Sequence, residues 1–183
     1  MLNTVLGSFS SGVAASTSSY ESIATVTGSG TNSLTFTSIP STYKHLQIRG
    51  LAICSSATQT IRTQFNADTG TNYMGHSLYG NGTSASVSSI APSQVYTIIG
   101  GVSNGVVTTY PNVFILDILD YASTTKYKTT RSFFGADMNA AGGSVDLCSG
   151  LYMSTTAISE IKIYMSTGNL NTNTTFALYG IIG

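Results

Sequence analysis

The sequence predicts an all-β protein: an antiparallel β-sandwich of the jelly-roll type, with about ten strands and a short N-terminal arm. Short segments of alternating apolar and polar residues recur along residues 19–183, and clusters of Gly, Asn and Ser separate them. No long segment in that range carries the 3.6-residue period of an amphipathic helix. We therefore expect one β-sandwich domain over residues 19–183, preceded by an arm over residues 1–18.

The arm is predicted from apolar residues that recur at near-helical intervals, namely Leu2, Val5, Leu6 and Phe9. An apolar strip of this kind usually has a partner, so we expect the arm to attach the protein to a neighbouring subunit or to another protein. A disordered tail is the alternative. The first Lys or Arg is Lys44, so the N-terminus lacks the basic residues that begin a signal peptide, and secretion is not expected.

The strands are predicted from period-two alternation, which is clear in "SLTFTSI", "TIRTQFN", "EIKIYM" and "TFALYGI". In "HLQIRG" the alternation places Leu46 and Ile48 on the inner face. The phase of this pattern changes at Gly50, because the apolar residues that follow occupy the polar register. This change predicts a β-bulge or a bend at Gly50.

The segment "VFILDILDYASTTKYKTTRSFF" combines apolar residues with scarce charges and predicts a hairpin. Its first part, 113–119, is apolar on both faces, which predicts a central strand buried on both sides. Asp117 interrupts this run, and an isolated buried carboxylate is costly. We expect Asp117 to form a structural ion pair across the hairpin with Arg131 or Lys128. A functional site at these charges is the alternative.

Composition limits the classes of function. Only 8% of the 183 residues are charged and the formal net charge is zero, so no basic face is available for nucleic acid. No apolar stretch reaches the roughly 18 residues of a membrane span. Ser and Thr take the place of charges as polar groups, which suits a protein that works inside an assembly more than a free soluble protein.

No catalytic, cofactor or metal site is expected. "GVSNG" at 101–105 matches a nucleophile-elbow pattern, but the sequence after it does not favour a helix. His45 and His76, the only two histidines, are expected to be strand or surface residues. "DMNAAGG" at 137–143 lacks the ligand spacing of a calcium loop. Cys54 and Cys148 are expected to be free buried thiols.

Several blocks together resemble a family of structural proteins from tailed-phage virions. The blocks are "YESIATVTGSGTNSLTFTSIPSTYKHLQIRGLA", "FNADTGTNYMGHSLYGNGTS", "DILDYASTTKYKTTRSFFGAD", "SGLYMSTTAISEIKIYM" and "FALYGIIG". They follow one another in the family's order and cover roughly residues 20–183. The family brings no enzymatic residues, so none is transferred to this chain.

The resemblance implies a β-sandwich that belongs to a virion assembled in the host cytoplasm. It implies a non-enzymatic role without cofactors, in contact with other virion proteins such as a major capsid protein or tail proteins. The first expectation is a capsid decoration (cement) protein that stabilises the shell, organised as a homotrimer. The alternative is a tail-fibre or receptor-binding module, for which a glycan on the host surface is a possible ligand.

Overall fold

The computed structural model describes residues 19–56, 59–101, 110–137 and 142–183. These residues form twelve strands and no helix. The strands are β1 (Tyr20–Thr27), β2 (Ser33–Phe36), β3 (His45–Ala52), β4 (Ile61–Phe65), β5 (Tyr73–Gly80), β6 (Ala85–Gln94), β7 (Thr97–Gly100), β8 (Asn112–Leu119), β9 (Lys128–Asp137), β10 (Gly143–Tyr152), β11 (Ile161–Met165) and β12 (Thr175–Ile181).

The strands form two antiparallel sheets, which confirms the predicted antiparallel β-sandwich. The larger sheet has the order β1-β12-β3-β8-β9-β10-β5-β6, and the smaller has the order β2-β11-β4-β7. Strands β1 to β4 alternate between the sheets, and so do β11 and β12. This alternation suits the two Greek keys of a jelly roll, and the jelly-roll type stays our interpretation of the topology.

The core lies between the two sheets, where apolar side chains of both meet. The larger sheet contributes the alternate residues of its central strands, and the smaller sheet contributes those of β4 and β11. The alternation predicted for "EIKIYM" and "TFALYGI" is confirmed. The fully buried side chains of the core include Leu46, Ile48, Ile61, Phe65, Leu116, Ile118, Ile161, Ile163, Phe176 and Leu178.

The bulge predicted at Gly50 is wrong. Strand β3 pairs with β8 and β12 in continuous register through this residue. A Cβ atom at Gly50 would collide with the rings of Phe114 and Phe176. Glycine is therefore present because two aromatic rings pack on the backbone there, and Ala52 and Cys54 continue the buried positions beyond it.

The prediction that β8 is buried on both faces is also wrong. The strand is central in its sheet, but its side chains alternate between buried and exposed. Phe114, Leu116 and Ile118 are buried, whereas Val113 is 54% and Ile115 is 42% exposed. The smaller sheet covers one face of β8, and nothing among the described residues covers the other.

Three predictions concern residues outside the described ranges. They are the arm with Leu2, Val5, Leu6 and Phe9, most of the "GVSNG" segment, and the centre of "DMNAAGG". Both cysteines lie inside the described ranges and are buried free thiols, as predicted. The described residues contain no helix that is long and apolar enough to cross a membrane.

Candidate interaction surface

The most unusual feature of the fold is a row of apolar side chains on the outer side of the larger sheet. Residues on five neighbouring strands, β8, β9, β10, β5 and β6, lie directly beside one another in the register. All five side chains are more than 40% exposed. In strand order they are Ile115, Phe133, Leu147, Leu78 and Val87.

A second row extends this surface, and each of its residues lies two positions along the strand from a residue of the first row. It runs from Val113 on β8 through Gly135 to Val145 on β10 and then Gly80 on β5. Val113 and Val145 are 54% and 52% exposed. We call the seven apolar side chains of the two rows the outer apolar face: Val113, Ile115, Phe133, Val145, Leu147, Leu78 and Val87.

A polar row borders the outer apolar face on its other side. It runs across the same strands as Asp117, Arg131, Ser149, His76 and Ser89. Arg131, His76, Ser149 and Ser89 are exposed, and the polar row begins with a carboxylate and a guanidinium of opposite charge. The outer side of the sheet thus changes from apolar to polar within two residues along each strand, because successive side chains on one face are two residues apart.

The structure brings together Asp117 and Arg131, one of the two pairs expected from the sequence. Arg131 Nη2 donates to Asp117 Oδ2 at 3.0 Å, and Gln47 Nε2 donates to Asp117 Oδ1 at 2.8 Å. Arg49 Nε in turn donates to Gln47 Oε1 at 2.9 Å. The Asp117 side chain is 18% exposed and that of Arg131 is 68% exposed, so the pair lies at the surface.

Lys128, the other expected partner of Asp117, lies on the opposite face of the sheet. Its side chain is fully buried, and its ammonium group donates to three backbone carbonyls. The acceptors are Ser123 O at 2.5 Å, Lys126 O at 3.1 Å and Ser154 O at 3.2 Å. Burial lowers the pKa of Lys128 from its ordinary value. Its role is to tie the turn before β9 to the loop after β10.

A shallow groove of ≈ 650 Å³ lies on the same outer side, between β9, β10, β5 and β6. Apolar side chains of the outer apolar face line it together with His76 and Arg131 of the polar row. Cys148, the neighbour of Leu147 on β10, lies on the opposite, buried face of the sheet, where burial raises the pKa of its thiol to about 12. The thiol is therefore protonated at neutral pH and is a poor nucleophile.

His45, the second histidine, is the first residue of β3 and contacts the turn after β8. Its Nδ1 accepts a hydrogen bond from the backbone N–H of Asp120 at 3.0 Å. Lys126 Nζ and Lys44 Nζ lie 3.0 Å and 3.3 Å from the Asp120 carboxylate, and their hydrogen bonds hold its pKa below the ordinary range. These contacts fix the chain after β8, which is a structural role.

The described residues hold no group of three or more His, Cys, Asp or Glu side chains that could bind a metal ion. The functional candidate that remains is the outer apolar face, which sequence reasoning missed. The signal was the apolar run of 113–119, which was interpreted as burial within the chain. Neither the models of known protein families nor the curated proteins contain a match for this sequence.

Proposed function

We propose that this chain is a non-enzymatic structural protein of a phage virion, a capsid decoration protein that acts by protein–protein contact. The observation that carries the proposal is the outer apolar face. The sequence resemblance to virion structural proteins supports it independently, because such proteins work in an assembly where large surfaces are covered.

The size of the outer apolar face favours a role in protein contact. From their exposed fractions, the seven side chains present roughly 600 Å² of apolar surface, at the upper end of the 300–600 Å² expected for the largest patch on a monomer. Phe133, 55% exposed, is the aromatic side chain of the outer apolar face and lies between Ile115 and Leu147 in the first row. Exposed aromatic side chains at the centre of a patch are typical anchors of protein interfaces.

The charge of the chain favours the same role. A free soluble protein usually avoids association through its surface charge. This chain has seven basic and seven acidic residues and a formal net charge of zero, so repulsion between copies or between the chain and a neutral partner is weak. A chain with so few charges and an exposed apolar face is suited to being held in an assembly.

The experiment that tests the proposal is a count of copies per virion. Particles that carry this chain are purified, and the amount of the chain is measured by quantitative mass spectrometry relative to the major capsid protein. Hundreds of copies support a decoration protein. Absence from purified particles contradicts any virion role, and a few to a few dozen copies contradict the capsid location and indicate the tail.

A tail-fibre or receptor-binding module is the second candidate, and a cluster on the outer side of β1, β3 and β12 favours it. The Arg49 guanidinium lies 5.4 Å from the ring centre of Tyr20 and 5.3 Å from that of Tyr179. Tyrosine rings beside an arginine suit contact with proteins and with sugars. Binding of the purified chain to host cells or their glycans, lost in Tyr179→Ala, would support this candidate.

A further inference from the structure

The outer apolar face has the properties of a surface that binds a copy of itself. It is composed of side chains on regular neighbouring strands, so it is broad and sheet-like, and sheet faces pack on one another at about 10 Å. We propose that two copies of this chain bind through their outer apolar faces, related by a two-fold axis parallel to the strands. This inference rests on the proposed function only in assigning the outer apolar face to protein contact.

The area of the outer apolar face matches what a stable dimer needs. A standard interface buries about 800 Å² on each partner, and roughly 60% of that area is apolar. The apolar part is then roughly 500 Å² per partner, which the roughly 600 Å² of exposed apolar surface supplies. The polar row provides a polar rim along one side of such an interface.

The order of the rows makes the outer apolar face complementary to itself. A two-fold axis parallel to the strands, between β9 and β10, keeps each row opposite the same row of the other copy. Phe133 then lies opposite the partner subunit's Leu147, and Ile115 lies opposite the partner subunit's Leu78. In the polar row, Asp117 lies opposite the partner subunit's His76. Four of the five side chains of the first row then meet apolar groups, Val87 lies opposite the partner subunit's Arg49, and the Asp117 carboxylate meets an imidazole.

The charges on this side of the sheet permit self-association. A face with a net charge repels an identical face, and like charges brought together cost several kcal/mol. Here the polar row holds Asp117 and Arg131 already joined at 3.0 Å, so their charges cancel within each copy. The apolar rows themselves carry no charge, and the two charges at their borders are of opposite sign: Arg49 lies beside Ile115 on β3, and Asp137 follows Gly135 on β9.

The same arguments favour a pair over the homotrimer that the resemblance implies. A two-fold interface uses the same surface on both subunits, whereas a three-fold ring joins two different surfaces of each subunit. The contiguous apolar surface identified among the described residues is a single one, and four of the five strands of its first row pair about the axis between β9 and β10. A trimer would leave this symmetry unused.

The test is the mass of the purified full chain in solution. Sedimentation velocity or light scattering after size exclusion, over about 1–100 μM, is expected to give twice the 19.1 kDa chain mass. Phe133→Asp places a carboxylate in the apolar contact, and we expect the dimer to weaken at least a hundredfold. Tyr127→Asp is the matched control, because Tyr127 is 56% exposed, like Phe133, but lies outside the outer apolar face.

Circular dichroism of each variant must show the β spectrum of the wild type, and Leu147→Arg serves as a second variant if Phe133→Asp does not fold. A dimer that survives both substitutions, or that Tyr127→Asp weakens equally, overturns the proposal. A monomeric or trimeric wild type also overturns it. If the wild type is monomeric and the Phe9→Asp variant forms a dimer, residues 1–18 are the segment that covers the outer apolar face in the wild type. None of these results depends on virion copy number, so failure of the dimer is distinct from failure of the proposed function.

Discussion

Replacing Lys128 with Met tests whether a buried ammonium group holds the β8–β9 turn in place. Met keeps most of the apolar stem of the side chain and removes only the charged group. In the wild type that group donates to the carbonyls of Ser123, Lys126 and Ser154, and the Lys128 side chain is fully buried. The variant leaves these three acceptors without their donor.

Two opposing effects determine the magnitude. A hydrogen bond to a charged group stabilises the folded state by about 1.5–3 kcal/mol, and the Lys128 ammonium group makes three of them. Burying the ammonium group costs several kcal/mol, and Met avoids this cost. The three carbonyls that lose their donor outweigh the avoided burial cost, so we expect Lys128→Met to lower the free energy of unfolding by about 1–3 kcal/mol. A neutral amine still donates without a buried charge, so the lowered pKa of Lys128 agrees with this expectation.

The pH dependence supplies a second result with a definite sign. Burial lowers the pKa of Lys128 below its ordinary value of 10.5. Between the lowered pKa and 10.5 the unfolded chain binds more protons than the folded chain, so the Lys128 contribution to stability rises with pH. The difference in unfolding free energy between wild type and Lys128→Met should therefore increase across this window, because other titrating groups are common to both proteins.

The measurement is urea unfolding followed by circular dichroism, at neutral pH and at several values up to 10.5. Lys126→Met is the matched control, because its ammonium group lies 3.0 Å from Asp120 but its side chain is 65% exposed. We expect this control to lose less than about 1 kcal/mol. If Lys128→Met is as stable as Lys126→Met, or more stable than wild type, the ammonium group does not tie the turn and the reasoning fails.

Three further predictions concern packing, charge and titration. A double-mutant cycle of Asp117→Ala and Arg131→Ala should give a coupling of about 0.5–1 kcal/mol, because the Arg131 side chain is 68% exposed; a coupling of 3 kcal/mol or more would mean the pair is buried. Gly50→Ala should destabilise by about 2–3 kcal/mol, because its Cβ would collide with two phenylalanine rings, whereas Gly135→Ala, whose Cβ meets only an ordinary contact at 3.8 Å, is the control and should differ clearly in urea unfolding. Five tyrosines have a raised pKa in the folded protein, so each contributes stability below pH 10 that is lost as the pH rises above 10. A thermal midpoint that stays constant from pH 9 to pH 11 would contradict the raised pKa values. Burial causes these shifts, except that the hydrogen bond to Glu21 is the largest cause at Tyr43, and the tyrosines are Tyr43, Tyr73, Tyr121, Tyr152 and Tyr164.

The two strands with the clearest alternation show what the sequence predicts well. In β11 and β12 the large apolar residues recur at alternate positions, so the inner face follows directly from the pattern, and Ile161 and Phe176 are fully buried as expected. The hairpin of β8 and β9 was also predicted, with Asp117 opposite Arg131 in the register. Local period-two patterns are sufficient for these features because only one arrangement buries their apolar residues.

Strand β9 shows where the same reasoning fails. Phe133 and Phe134 are adjacent and lie on opposite faces, so the pattern of the strand does not indicate which face is inner. Lys128 lies on the same face as Phe134. Its burial depends on the carbonyl groups of Ser123 and Ser154, in the loops before β9 and after β10, and the alternation within β9 does not indicate these contacts. Long-range contacts of this kind determine which of two equivalent faces is covered, and no local pattern contains them.

The same ambiguity explains the outer apolar face. A strand with apolar residues on both faces was interpreted as buried on both sides within one chain, yet the smaller sheet covers only one side of β8. A sequence pattern responds to burial in the working state of the protein, and it does not distinguish a second sheet from a second subunit. If two copies pair through the outer apolar face, β8 is buried on both sides in the dimer, and Val113 and Ile115 have the environment that their sequence predicts. The oligomeric states of the wild type and of Phe133→Asp, compared, therefore decide whether the apolar run of 113–119 was misinterpreted or described an interface.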